Sequence, residues 1–66
     1  MTKQDFVHGP LTRLLRAAEL DVKELLCSED ETHVTIVFRG DHMRGVDITA
    51  DSLAAIIIDV TDRAMY

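Results

Sequence analysis

The chain has 66 residues, of which 47% are hydrophobic and 29% charged, with a net charge of −5 and one cysteine. This length allows a single domain, because domains usually contain about 100 to 200 residues. The composition excludes a disordered chain, and the lone cysteine excludes an intrachain disulfide. No apolar run approaches the roughly 18 residues of a membrane span. We therefore expect residues 1–66 to form one domain without membrane contact.

The charge is distributed unevenly along the chain. Residues 1–27 carry four acids and four bases, whereas residues 28–66 carry eight acids and three bases. This net acidity disfavours direct binding to nucleic acid or anionic lipid. The N-terminus has no hydrophobic stretch of a signal peptide, and a free cysteine fits a reducing compartment. These features predict a cytoplasmic protein.

The first predicted helix covers about residues 10–20. Pro10, after Gly9, suits the first helical position because its missing N–H would have no partner there. Apolar residues then recur at spacings of three and four, which places them on one face of an amphipathic helix. The predicted core face of this helix consists of Leu11, Leu14, Leu15 and Ala18.

Residues 22–27 fit either of two structures. Their apolar residues continue the helical stripe, which would extend the first helix to about residue 26 and give an α-β-β-α order. Read as a strand, with residues 28–31 as a turn, they place Leu25 opposite Val34 on one face. We favour the strand because this register joins Leu25 to the apolar face of the strands that follow.

Two clear strands are predicted at residues 32–39 and 45–49, both with β-branched residues alternating with period two. A five-residue hairpin loop between them pairs Arg39 with Gly45. The result is a three-stranded antiparallel meander with one apolar face. That face consists of Leu25, Val34, Ile36, Phe38, Val46 and Ile48.

A final helix is predicted at about residues 50–64, with Thr49 or Asp51 as its N-cap. Its core stripe should cover the apolar face of the sheet. The sequence thus predicts an α+β fold of α-β-β-β-α order, in which two helices flank the meander. The stripe consists of Leu53, Ile56, Ile57, Val60 and Ala64.

No residue pattern indicates catalysis or metal binding. Cys27 ends an apolar segment and lacks the local signature of a nucleophile paired with a base. His8, His33 and His42 do not stand at the short spacings of a zinc site. We therefore expect a non-enzymatic protein without a cofactor or a metal.

The final helix also has apolar residues to the side of its core stripe. Ala54, Ile58 and Met65, with Tyr66, are expected to form an exposed patch, and such patches usually mark interfaces. A core of this size rarely supplies more than about 3 to 5 kcal/mol of net stability, which independently favours self-association. We therefore predict a homodimeric interaction module whose further partner is an unidentified protein.

The strongest acidic run, Glu29, Asp30 and Glu31, supports a second hypothesis. An acidic surface can imitate the phosphates of nucleic acid and block a basic partner protein. The same run is also typical of a solvated turn between two strands. The two hypotheses place the functional surface on different parts of the chain.

Overall fold

The computed structural model describes residues 1–65 and confirms the predicted α+β fold in α-β-β-β-α order. The N-terminal helix, α1, comprises an α-helical start, a π-helical middle and an α-helical end. Three antiparallel strands follow in the order β1-β2-β3, and helix α2 ends the chain. The bounds are Lys3–Phe6, Val7–Leu11 and Thr12–Ala17 within α1, then β1 Val22–Cys27, β2 His33–Phe38, β3 Met43–Asp47 and α2 Leu53–Met65.

Helix α1 begins at Lys3, seven residues before the predicted start at residue 10. The side chain of Thr2 accepts a hydrogen bond from the N–H of Asp5 at 3.0 Å, and thereby satisfies one of the otherwise unpaired donors of the first turn. Pro10 therefore lies inside the helix, and its interpretation as the first helical residue was wrong.

The π-helical stretch explains how α1 accommodates Pro10. Proline has no N–H to donate and its ring crowds the preceding turn of an α-helix. The stretch from Val7 to Leu11 is wound more widely, and single π turns of this kind are typical inside α-helices. The hydroxyl of Thr12 donates to the carbonyl of Val7 at 2.7 Å, which gives that carbonyl a partner.

The segment Val22–Cys27 is a strand, so the alternative with a longer first helix is wrong. Its register differs from the predicted one, since Leu25 pairs with Ile36 and not with Val34. The turn still contains four residues but lies one residue later, at 29–32, because the pairing closes where Ser28 N donates to the carbonyl of His33 at 3.0 Å. An offset of two residues keeps Leu25 on its predicted face, and a β-bulge between Val22 and Glu24 brings Val22 to the buried face as well.

The second hairpin is tighter than predicted, because Gly45 pairs with Thr35 and not with Arg39. Phe38 N donates to the carbonyl of His42 at 2.9 Å, so the turn contains only three residues. The offset from the predicted register is four residues, again an even number that preserves both faces. Positive φ angles occur within this short turn, at Gly40 (93°) and Asp41 (66°).

The core lies between the sheet and the two helices. All six residues of the predicted apolar sheet face are buried. On α1, Leu14 and Ala18 are exposed, which corrects their predicted place in the core. Leu11 and Leu15 centre the buried face, so Leu14 is displaced to its flank at 100° per residue. The buried hydrophobic residues are Val7, Leu11, Leu15, Val22, Leu25, Val34, Ile36, Phe38, Val46, Ile48, Ile56 and Val60.

Helix α2 begins at Leu53, three residues later than predicted. Ser52 is its cap, since the Ser52 hydroxyl accepts from the N–H of Ala55 at 3.2 Å. Thr49, a predicted cap, instead donates its N–H and hydroxyl to the carboxylate of Asp47 at 2.9 and 2.7 Å. None of the helices within residues 1–65 has the length and apolar character needed to cross a bilayer.

Adjacent leucines provide a test of the strand at residues 22–27. Leu25 is buried, whereas Leu26 is 46% exposed on the opposite face of the sheet. Leu25→Ala should lower the free energy of unfolding by about 2 to 5 kcal/mol, because it leaves a cavity. Leu26→Ala should lower it by less than about 1 kcal/mol. Urea denaturation measures both values, and equal losses would contradict the strand.

Candidate functional site: a groove between the two helices

Helices α1 and α2 leave an apolar groove of about 450 Å³ between them. Both helices contribute side chains to it. Aliphatic groups dominate the lining, with one hydroxyl and one carboxylate. The lining residues are Leu14, Leu15, Ala18, Ile57, Ile58, Thr61, Asp62 and Met65.

The α2 wall contains part of the predicted interface patch. Ile58 is 68% exposed and Met65 is 59% exposed, and both line the groove. Ala54 is also exposed, one helical turn before Ile58, but does not line it. Tyr66, the fourth residue of the predicted patch, lies outside the described residues. The structure therefore brings two of the predicted residues together at the groove.

The α1 wall was missed by the sequence analysis. Leu14 is 47% exposed and lines the groove together with Ala18, although both were assigned to the core. The apolar residues of α1 cover a wide arc of the helix, and this width was the sequence feature that could have predicted the second wall of the groove. Four apolar positions were more than a short helix needs to cover its share of a small sheet.

Thr61 contributes the one hydroxyl of the groove lining. Its hydroxyl oxygen is buried and has no hydrogen-bond partner within residues 1–65. Buried hydroxyls normally have a partner, because an unmade hydrogen bond costs about 1 to 3 kcal/mol. Because this oxygen is shielded, the accessible surface of the groove is almost entirely aliphatic, with the exposed carboxylate of Asp62 as its polar group.

Two of the three residues of the acidic run accept hydrogen bonds within the fold. Asp30 accepts hydrogen bonds from Ser28 and Thr32, which lower the pKa of its carboxyl. Glu31 accepts from the N–H of Gln4 at 2.9 Å and so caps the first turn of α1. Glu29 is exposed. An acidic surface that imitates nucleic-acid phosphates would therefore depend on Glu29 and on those carboxylate oxygens of Asp30 and Glu31 that face outward.

The thiol of Cys27 is not activated for nucleophilic chemistry. Burial raises the pKa of the thiol, and Glu31 raises it further, so the thiol stays protonated at neutral pH. His8 faces the backbone of Cys27, since its Nε2 accepts from the Cys27 N–H at 3.3 Å. The other two histidines lie elsewhere. His33 Nδ1 shares a hydrogen bond with the hydroxyl of Thr32, and the ring of His42 stacks on the ring of Phe38.

No group of three metal-binding side chains forms within the described part of the chain. Comparison of the chain with protein-family models, curated proteins and solved structures finds no match. The function is therefore inferred from the geometry of the surfaces described above.

An acidic pair near the start of α2 makes the stability depend on pH. A hydrogen bond shared with the Asp59 carboxyl raises the pKa of Asp51, and burial raises it further. One oxygen of Asp51 is also buried without a hydrogen-bond partner within residues 1–65. A raised pKa means that the folded protein holds the proton more tightly than the unfolded chain. Asp51 thus favours folding at low pH and loses this contribution as the pH rises through its pKa.

Asp51→Asn should therefore raise the melting temperature at pH 7, because it removes the electrostatic repulsion between the carboxylate of residue 51 and the nearby Asp59. The gain should disappear below the ordinary aspartate pKa of about 3.9, where the Asp51 carboxyl is protonated. Thermal unfolding followed by circular dichroism between pH 3 and pH 7 measures the effect. Glu24→Gln, at an exposed strand position, is the control and should show no such pH-dependent gain.

Proposed function

We propose that this chain is a non-enzymatic protein-interaction module of the cytoplasm that forms a homodimer through the groove between α1 and α2. The observation that carries the proposal is the apolar groove lined by the exposed side chains of Leu14, Ile58 and Met65. Exposed apolar patches on small domains usually mark interaction surfaces, because their burial releases ordered water.

A second copy of the chain is the proposed occupant because a two-fold axis pairs an apolar surface with itself. Ile58 and Met65 are exposed and line the same groove as Leu14 and Ala18. In a two-fold arrangement the projecting residues of each copy enter the groove of the other. This arrangement is isologous, so it ends at a dimer and does not propagate into a filament.

The charges of the two helices also favour pairing of α1 with α2 of another copy. Arg13 is exposed on α1 next to Leu14, whereas Asp62 lies in the groove on α2. In a two-fold dimer, α1 of each copy approaches α2 of its partner, so unlike charges meet at the rim. Such rim pairs contribute little energy but set the orientation and speed the encounter.

The size of the surface is compatible with a stable dimer only if both helices take part. A standard interface buries about 800 Å² per partner, which is roughly a fifth of the 4207 Å² that this chain exposes. Three side chains alone do not supply that area. The dimer leaves the sheet side of the molecule available for the further protein partner that an interaction module requires.

Sedimentation equilibrium tests the dimer. The wild-type chain should be dimeric at concentrations on the order of 50 µM. Ile58→Glu should weaken the dimer at least about 100-fold, equivalent to about 3 kcal/mol, because it places a charge in the apolar interface. The mutated side chain is exposed in the monomer, so the fold should remain intact.

Leu26→Glu is the matched control, because Leu26 is also an exposed apolar residue but lies on the opposite face of the sheet. It should leave the dissociation constant within about threefold of the wild-type value. A monomeric wild type at these concentrations would contradict the proposal, and so would equal weakening by both variants.

A further inference from the structure

The two edge strands of the sheet, β1 and β3, differ in how their outward backbone groups are covered. An edge strand presents unpaired N–H and C=O groups, which proteins usually cover or block. At the β1 edge, α1 covers these groups: Cys27 N donates to His8 Nε2 at 3.3 Å, and Arg16 donates to the carbonyl of Lys23 at 3.1 Å. The β1 edge is therefore protected by the fold itself.

The β3 edge has no such cover among the described residues. The hydrogen bonds that flank its ladder with β2 run from Phe38 N to the carbonyl of His42 and from Ile48 N to the carbonyl of Thr32. Since backbone groups alternate in direction along a strand, the even-numbered residues of β3 face β2. The residues that face outward are therefore Met43, Gly45 and Asp47, all of them exposed.

These three residues present a row of free backbone groups. None of the hydrogen bonds outside the regular ladders and helices of residues 1–65 involves their backbone N–H or C=O groups. The row is continuous over the length of a short strand. It therefore has the geometry required for addition of a fourth strand.

Gly45, at the centre of the row, is not explained by the monomer. A Cβ added there would meet no atom within 4 Å, and its φ is not positive. Neither internal packing nor a special backbone conformation therefore requires glycine. Glycine weakens a strand and often marks a site where another backbone or a ligand approaches closely. On the outer face of β3 it leaves a gap between the side chains of Met43 and Asp47.

The outward row of β3 ends in a carboxylate, that of Asp47. Asp47 lies beside Asp51, and Asp51 in turn contacts Asp59. Hydrogen bonds from Thr49 lower the pKa of the Asp47 carboxyl, so it is ionised at neutral pH. The one base of β3, Arg44, is turned inward and donates to the carbonyl of Arg63 in α2 at 2.7 Å. Lys3 lies at the end of the strand, where it donates to the carbonyls of Ile48 and Thr49 at 3.1 and 3.4 Å. The Asp47 carboxylate is therefore the only charge among the outward residues of β3, and it favours a cationic group opposite the row.

We propose that the β3 edge binds an extended basic segment of a partner protein as a fourth strand, with a lysine or arginine opposite Gly45. The aliphatic part of that side chain fills the gap beside Met43, and its charge meets the carboxylate of Asp47. The backbone of the segment pairs with the free groups of the three outward residues. This inference names the partner chemistry of the interaction module and rests on that part of the proposed function alone.

Titration of the ¹⁵N-labelled protein with two capped heptapeptides tests the inference. One peptide alternates lysine with valine, and the other alternates glutamate with valine. The lysine peptide should shift and protect the amides of Met43, Gly45 and Asp47, and should bind at least about tenfold more tightly than the glutamate peptide. Asp47→Asn should reduce this preference while its side-chain oxygen still accepts from Thr49.

Two substitutions at Gly45 separate backbone pairing from packing. Gly45→Pro removes the central outward N–H, which the fold itself does not use, and should weaken binding of the lysine peptide at least about tenfold. Gly45→Ala keeps the N–H and has open space for its Cβ in the free protein, but its methyl group narrows the gap that receives the partner side chain, so it should weaken binding less than Gly45→Pro does. The circular dichroism spectra and melting temperatures of both variants show whether the fold is kept.

Three results would overturn the inference: no shift of the β3 amides at millimolar peptide, equal binding of both peptides, or unchanged binding in a folded Gly45→Pro. Protection of the β3 amides that grows with protein concentration in the absence of peptide would also overturn it, by assigning the edge to a second copy. The Gly45→Pro variant should still sediment as a dimer through the groove. Failure of this inference is thus distinguishable from failure of the proposed dimer.

Discussion

The packing of α1 against β1 is the constraint on which the other surfaces depend. Val7, Leu11 and Leu15 hold the helix on the sheet, and polar bonds tie it at several points. Gln4 links its first turn to the turn after β1, and Lys3 reaches the carbonyl of Ile48. Because α1 covers the β1 edge, it stands apart from α2, and the groove between the helices stays open.

This arrangement leaves two different surfaces for binding. The groove is apolar and suits a partner helix, whereas the β3 edge is polar and suits an extended chain. They use different physical forces, since the first depends on burial of hydrocarbon and the second on backbone hydrogen bonds and charge. A dimer formed through the groove would still present two β3 edges. The proposed module therefore combines self-association with recognition of another protein.

Much of the fold was predictable because periodicity survives errors in register. Both hairpins were predicted with the wrong pairing, yet the offsets were even and all six sheet-face residues are buried as expected. The start of α1 was wrong because Pro10 is normally a sign of a helix start, and only the π-helical stretch makes its internal position tolerable. On the interface patch, Ile58 and Met65 were expected to be exposed from their angle on α2. Leu14 was not, because its exposure depends on where α1 sits.

The sequence by itself determined the two clear strands, the final helix and the apolar face of the sheet, because these follow from local spacing of two and of 3.6 residues. Only the tertiary structure decided the partners of each strand, the covering of one sheet edge and the opening of the groove. The physical reason is that turn closure and helix placement depend on contacts between distant segments. Cys27 with His8 and Gln4 with Glu31 are such contacts, and no local pattern encodes them.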